Sequence, residues 1–294
     1  MFRAQSQRWN RSRNPRQREF FLSACLIAKN EVAYILEWIA YHRVVGFDFF
    51  YIYDNDSNDR LSDLLGPLTA KGICCVIDWP RSSSPDNPQV SAYHHTLAYF
   101  GHETEWLATI DADEFVVPLT SNNVASILAD SFRNRDAVLC NWRIFGSAGH
   151  REPNGQLCME RFHRASGPDF SANNNVKSIF RPNAAESIFV HNHYMKSNNV
   201  ALSDNSEFAT PREQVTASPV YGHMQINHYF CKSQSEFFIK RLKGLADHPI
   251  DAPYATRAFQ MFVDHDRNEC LEQTIFRFLY ETKDEISRLK SLLR

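Results

Sequence analysis

The 294-residue chain lacks the familiar signatures of nucleotide, redox and zinc chemistry. It has no G-x-G-x-x-G and no P-loop pattern, so neither a dinucleotide fold nor an ATPase is supported. It has no C-x-x-C spacing. Its seven cysteines (Cys25, Cys74, Cys75, Cys140, Cys158, Cys231 and Cys270) are odd in number, and several lie inside apolar, strand-like runs. That pattern fits buried reduced thiols in a cytoplasmic protein better than disulfides or a zinc site. His191-Asn-His193 and His94-His95 lack H-E-x-x-H spacing, and the acidic stretch Asp54 to Asp59 lacks the glycine and glutamate of a calcium loop. No run approaches the length of a transmembrane helix. A formal net charge of -2 argues against a general nucleic-acid binder, and no internal repeat is present.

What charge there is lies unevenly. Arg3, Arg8, Arg11, Arg13, Arg16 and Arg18 make residues 1–19 a basic, polar tail, expected to be disordered. Such a tail is either simply solvated or a peripheral contact to an acidic partner or membrane surface. The arginines followed by Phe20-Phe-Leu-Ser-Ala-Cys-Leu-Ile-Ala28 imitate a signal peptide, but the apolar run is short and ends in Lys29-Asn30-Glu31. It reads as a buried first strand.

From there strand and helix alternate. Asn30 can cap a helix carrying Val32, Ile35, Leu36 and Ile39, with Gly46 beyond its end. Phe49 to Tyr53 is a strand ending in the polar cluster Asp54 to Asp59, which can cap a helix over Leu61 to Ala70. Ile73 to Ile77 is a third strand, Trp79 to Pro88 a loop, and Gln89 to Phe100 a helix. Trp106 to Ile110 is the fourth strand, followed by the short run Phe115 to Val117. This alternation predicts an α/β fold, a mostly parallel sheet with helices on both faces. Beyond Pro118, a helix is expected near Val124 to Ser131 and a strand over Ala137 to Trp142. Further strands are expected over Val176 to Arg181, Ser187 to His191 and Met224 to Phe230. A helix over Ser235 to Leu242, with Gly244 beyond it, and a final amphipathic helix over Glu269 to Leu293 complete the reading. Arg143 to His150, with its two glycines, reads as a tight loop close to a ligand, and Arg151 to Thr216 as largely irregular.

The chemistry concentrates in Asp111-Ala-Asp113-Glu114, three carboxylates in four residues at the end of a buried strand. They would repel one another and resist desolvation unless something positive neutralised them. On an extended chain, Asp111 and Asp113 would point the same way and offer hard oxygen ligands to Mg²⁺ or Mn²⁺. The alternative is a strand end followed by an acidic helix start. Lys29-Asn30-Glu31, Asp54 to Asp59 and Asp111 to Glu114 all fall at strand carboxyl ends, where such sheets bind ligands.

Five segments in this order carry a resemblance. They are Lys29-Asn30-Glu31, Tyr51-Ile-Tyr-Asp-Asn55, Ile110-Asp-Ala-Asp-Glu-Phe115, Trp142-Arg-Ile-Phe-Gly-Ser-Ala-Gly-His150 and Asn227-His-Tyr-Phe-Cys-Lys232. The series resembles the family 2-like and family 92 glycosyltransferases, which share the Rossmann-like GT-A fold, from about Leu22 to Gly244. The resemblance implies one GT-A domain over residues 20–245 with an irregular acceptor-side segment, and a helical extension over 246–294 packed on it. It implies inverting transfer of a hexose from a nucleotide sugar, a UDP-hexose, to a carbohydrate acceptor with Mn²⁺ or Mg²⁺. The setting would be polysaccharide or surface-glycan synthesis. On these positions, Lys29, Asn30, Glu31 and Asp54 would border the nucleoside. Asp111 would face ribose or metal, Asp113 and His228 would hold the metal, and His193 is a second choice for the imidazole ligand. Lys177, Lys232 and Arg241 are candidate diphosphate counter-charges. The base that activates the acceptor hydroxyl is assigned to Glu160, with His150 and Asp169 as alternatives. Two other classes use the same residues: a non-catalytic nucleotide-sugar or glycan-binding module, and a metal-dependent phosphohydrolase or nucleotidyltransferase.

Overall fold

A computed structural model describes residues 18–83, 87–242 and 252–294. The basic tail up to residue 17, Gly244 and the proposed boundary at 245/246 lie outside the described residues.

The first half is built as its alternation predicts. Strands β1 (Phe20–Ala28), β2 (Phe49–Asp54), β3 (Cys74–Asp78) and β4 (Thr104–Thr109) are mutually parallel, in the order β3-β2-β1-β4. Helices α1 (Ile35–Val44), α2 (Leu61–Ala70) and α3 (Pro88–Phe100) connect them. Period-two alternation sorts the side chains between two faces. Leu22, Ala24 and Leu26 of β1 with Phe50 and Ile52 of β2 pack on the side of α1 and α2. Cys25, Phe49, Tyr51 and Tyr53 pack on the other side with Ala92 and Tyr93 of α3.

The second half mixes directions. β5 (Glu114–Pro118), α4 (Val124–Ser131) and β6 (Ala137–Ile144) come next. After the short α5 (Cys158–Arg161) and β7 (Arg164–Ala165) comes β8 (Val176–Phe180), antiparallel to both β4 and β6. Strands β9 (Ala185–Ser187) and β10 (Tyr194–Met195) form a small hairpin of their own. β11 (Val200–Leu202) and β12 (Met224–His228) share one edge of β6, parallel to it: β11 takes Ala137 to Leu139, and β12 takes Trp142 to Ile144. At this fork the Asn141 side chain bonds Thr216 Oγ1 (2.7 Å), the Asn173 carbonyl (3.0 Å) and the Val220 N–H (3.0 Å). The sheet ends with β5 antiparallel to β12.

That order forces the sheet to curl. β5 follows β4 in the chain after only four intervening residues, yet three strands separate them in the sheet. Four steps of about 4.8 Å would put them about 19 Å apart if the sheet were flat. Five residue intervals reach at most about 18 Å fully extended, and this connection is a turn. The Asp111–Asp113 turn therefore closes the curl, bringing the carboxyl ends of β4, β6 and β12 and the starts of β5 and β8 to one rim.

Helices α6 (Gln234–Leu242) and α7 (Ala252–His265) follow β12, then β13 (Cys270–Leu271) and α8 (Leu279–Leu292), which packs along α1. Several boundaries differ from expectation. Asn30 does not cap α1: it sits at φ +58° and its Oδ1 accepts the Asn58 N–H, while the helix starts after Tyr34. Arg60, not an acidic residue, precedes α2. The stretch 188–193 is not a strand, because it folds around the side chain of His193. The final helix starts at Leu279, not Glu269, since Cys270 pairs with Ala165 and the Glu272 N–H donates to the His163 carbonyl.

Candidate active site

Asp111 and Asp113 do not lie on an extended strand. They occupy the turn between β4 and β5, and their carboxylates take different partners. Trp38 of α1 anchors this turn by donating Nε1–H to the carbonyls of Asp111 (3.0 Å) and Glu114 (2.9 Å). Glu114 Oε2 accepts the Asp111 N–H at 2.8 Å.

Asp111 Oδ2 accepts from Lys177 Nζ at 2.9 Å, and its Oδ1 accepts from Gln89 Nε2 at 2.8 Å. Lys177 is wholly buried, 3.4 Å from Glu114 Oε2. Burial would pull its pKa down, but the Asp111 and Glu114 carboxylates outweigh that and hold the ammonium above its ordinary value. Glu114 is pushed up by its own complete burial, which Lys177 only partly offsets. Asp113 is buried and ion-paired to Lys240 of α6. Burial alone would raise its pKa, yet Lys240 and His228 hold it well below the usual carboxylate range.

His228, at the end of β12, sets Nε2 at 3.7 Å from Asp113 Oδ2. Its Nδ1, which is buried and makes no hydrogen bond, is 4.0 Å from the equally unpartnered Glu114 Oε1. Trp142 closes the ring's flank with centroids 4.3 Å apart. Among the described residues no group of three or more His, Cys, Asp or Glu side chains is arranged around a common metal point. A two-donor set remains, Asp113 Oδ2 and His228 Nε2. A carboxylate and an imidazole are donors that could serve a divalent cation such as Mn²⁺ or Mg²⁺.

The nucleoside candidates gather along the same rim. Asn30 donates its N–H to Ser57 Oγ (3.0 Å), and Asp54 accepts from the Ser57 N–H (3.0 Å) and from Ser62 Oγ (2.6 Å). Lys29 is half-buried at the end of β1. Glu31 is buried, with Oε2 lacking a hydrogen bond and standing 3.7 Å from Lys232 Nζ. Lys232, at φ +51°, lays its ammonium 3.2 Å from the centre of the Tyr34 ring. Burial opposes its charge, but Glu31 and other neighbours raise its pKa.

Other candidates are held elsewhere. His193 is buried, with Nδ1 accepting the Phe189 N–H (3.2 Å) and Nε2 on Thr109 Oγ1 (2.8 Å), so neither nitrogen is left for a metal. Burial lowers its pKa to about 3. Arg241 stacks over Phe230 and Phe237. Glu160 pairs with Lys283 of α8 at 2.6 Å and accepts the Leu157 N–H at 3.1 Å, so its contacts lie with α5 and α8 and not with the carboxylate turn. His150 packs half-buried against Phe162 (5.9 Å between centroids), and Asp169 is exposed. The loop Arg143 to His150 makes its close approach to the chain itself: a Cβ on Gly146 would lie 2.4 Å from the Arg267 carbonyl oxygen.

Three participants escaped the sequence reading: Gln89, Trp38 and Lys240. Lys240 is 127 positions from Asp113, and no local pattern announces that pairing.

Residues 20–246 match the family model of glycosyltransferase family 92. The chain belongs to that family. It is similar to a family 92 protein of Ricinus communis, 29% identical over 234 residues that cover 77% of this chain and 38% of that one. A family 92 protein of Oryza sativa subsp. japonica is 28% identical over 102 residues, 34% of this chain and 17% of its own. This chain thus spans well under half the length of these curated relatives. Among solved structures, TarS of S. aureus aligns over 83% of this chain and 43% of its own, with TM-score 0.40 and 11% identity. Glucosyl-3-phosphoglycerate synthase of Mycobacterium tuberculosis, in complex with Mn²⁺, UDP and glucosyl-3-phosphoglycerate, aligns over 42% and 44%, with TM-score 0.28 and 19% identity. At those scores the likenesses add nothing to the strand order described above.

Proposed function

We propose that this family 92 protein is a metal-dependent, inverting glycosyltransferase that moves a hexose from a UDP-sugar to a carbohydrate acceptor. The observation that carries the reading is the gathering of Asp111, Asp113, His228, Lys177 and Lys240 at the rim where the sheet curls closed. Asp113 and His228 would hold Mn²⁺ or Mg²⁺, which when bound supplies positive charge to the departing diphosphate. Lys177 keeps Asp111 oriented, while Lys240 neutralises Asp113 and would be free to meet phosphate oxygens were a cation held there. Lys232 adds a second fixed positive charge, and Asn30, Glu31 and Asp54 border the nucleoside.

The setting proposed is polysaccharide or surface-glycan synthesis at the cytoplasmic side of a membrane, approached through the basic N-terminal arm. No helix among the described residues is long and apolar enough to cross a membrane. The test is UDP release from UDP-hexoses with Mn²⁺. We expect turnover that chelation abolishes and that Asp113→Asn lowers about 100-fold or more. Release of pyrophosphate or inorganic phosphate in place of UDP, or turnover indifferent to Asp113, would sink the reading.

A further inference from the structure

Inversion needs a base beside the acceptor hydroxyl, and none of Glu160, His150 and Asp169 joins the group around His228. A different residue does. His265 ends α7, and its Nδ1 is 3.0 Å from the Met261 carbonyl one turn earlier. A carbonyl oxygen can only accept, so Nδ1 carries the proton and Nε2 of the neutral ring presents a lone pair. The ring packs on Phe230, with centroids 4.5 Å apart, and Phe230 in turn lies 5.5 Å from His228. Phe170, covered by Arg267, meets the same ring edge-on at 5.7 Å. The imidazole is thus one aromatic ring away from the proposed metal ligand, flanked by two half-buried rings that hold its plane.

We propose that His265 is the catalytic base. Its Nε2 takes the proton of the acceptor hydroxyl as that oxygen bonds to the anomeric carbon. The bond from that carbon to the diphosphate breaks, and its electron pair leaves with UDP. The assignment rests on the transferase reading above and deepens it.

Two features hold the base in place. Directly after it, Asp266 Oδ1 accepts the Ser147 N–H (2.6 Å), and Asn268 Oδ1 accepts the Ala148 N–H (2.8 Å). The loop after β6 thereby clasps the end of α7. Burial lowers the pKa of His265, against the Met261 bond, which raises it. The ring is therefore neutral, and able to accept a proton, at neutral pH.

The experiment uses the full chain with Mn²⁺ and, in turn, UDP-galactose, UDP-glucose and UDP-N-acetylglucosamine, with water as the acceptor. UDP release is followed, and Mn²⁺–UDP affinity is measured by calorimetry. His265→Gln and His265→Ala should each lose about 100-fold or more in turnover with UDP affinity unchanged, and added imidazole should restore part of the loss in the alanine variant. Turnover near that of the wild type in either variant, or a parallel loss of UDP binding in both, would overturn the assignment. Failure of the wild type to release UDP from any of the three would instead refute the transferase reading, and this one with it.

Discussion

Lys177 sits with no solvent exposure between two carboxylates, and its removal leaves both without their nearest positive charge. Lys177→Met should destabilise the fold by about 3 kcal/mol, since breaking a buried pair strands the remaining charge. A urea titration would register this as a lower midpoint, whereas a midpoint like the wild type's would show that the carboxylates find other partners. The acidic turn itself was legible in the sequence, because three carboxylates directly after an apolar run demand compensation. The source of that compensation was not. Lys177 suggested itself as a partner for phosphate, yet the structure spends its charge on Asp111 and Glu114. Lys240 comes from a helix remote in the chain and Gln89 from the start of the helix before β4, and side-chain meetings of that kind leave no trace in spacing.

Gly146 shows how an element depends on a single missing atom group. The loop after β6 lies so close to Arg267 and Asn268 that any side chain at Gly146 would push the segment after α7 outward. Gly146→Ala should cost about 1–3 kcal/mol, the usual penalty of overpacking, and lower UDP release as well. Thermal unfolding and the turnover assay, run on the same preparation, would check both; unchanged values would mean the loop yields freely. The sequence rightly flagged this loop for close approach but took a ligand, not the chain's own backbone, as the neighbour. The helices α2 and α4, whose hydrogen bonds are internal, begin and end where their patterns do, and β1 matches its apolar run although its bonds go to β2 and β4. The start of α1 and the last helix did not, because Asn30 bonds Asn58 and Cys270 pairs with Ala165 across long separations.

Across the molecule, one buried ion pair ties three helices together. Arg161 of α5 grips Glu236 of α6 through two hydrogen bonds of 2.7 Å, and the Tyr34 hydroxyl just before α1 donates to the same carboxylate. Burial would raise the Glu236 carboxyl, but Arg161, Ser233 and Tyr34 lower it to about 2. A carboxyl depressed by folding stabilises the native state above its unfolded value of about 4.3, and that contribution fades as pH falls towards 2. The melting temperature should therefore drop across that window, and Glu236→Gln should flatten the drop while lowering stability at neutral pH. An equally steep acid limb in the variant would assign it to other groups. At this scale the parallel half of the sheet was plain from the alternation of strand and helix. The directions of β8 and β5 were not, since a short apolar run carries no sign of which way it will pair.

The fork beside β6 has a further consequence. The excursion from residue 204 to 222 departs and returns along one margin of a single strand, and Asn141 holds its returning arm at Thr216 and Val220. Phe208 packs in the core, the Asn192 amide grips the carbonyls of Pro211 and Glu213, and the Tyr221 hydroxyl donates to the Trp142 carbonyl, so a change of length in this handle would pull on the strands on either side. The handle therefore braces the strand that carries His228 to its neighbour, and slack introduced there would reach the charged rim through β12.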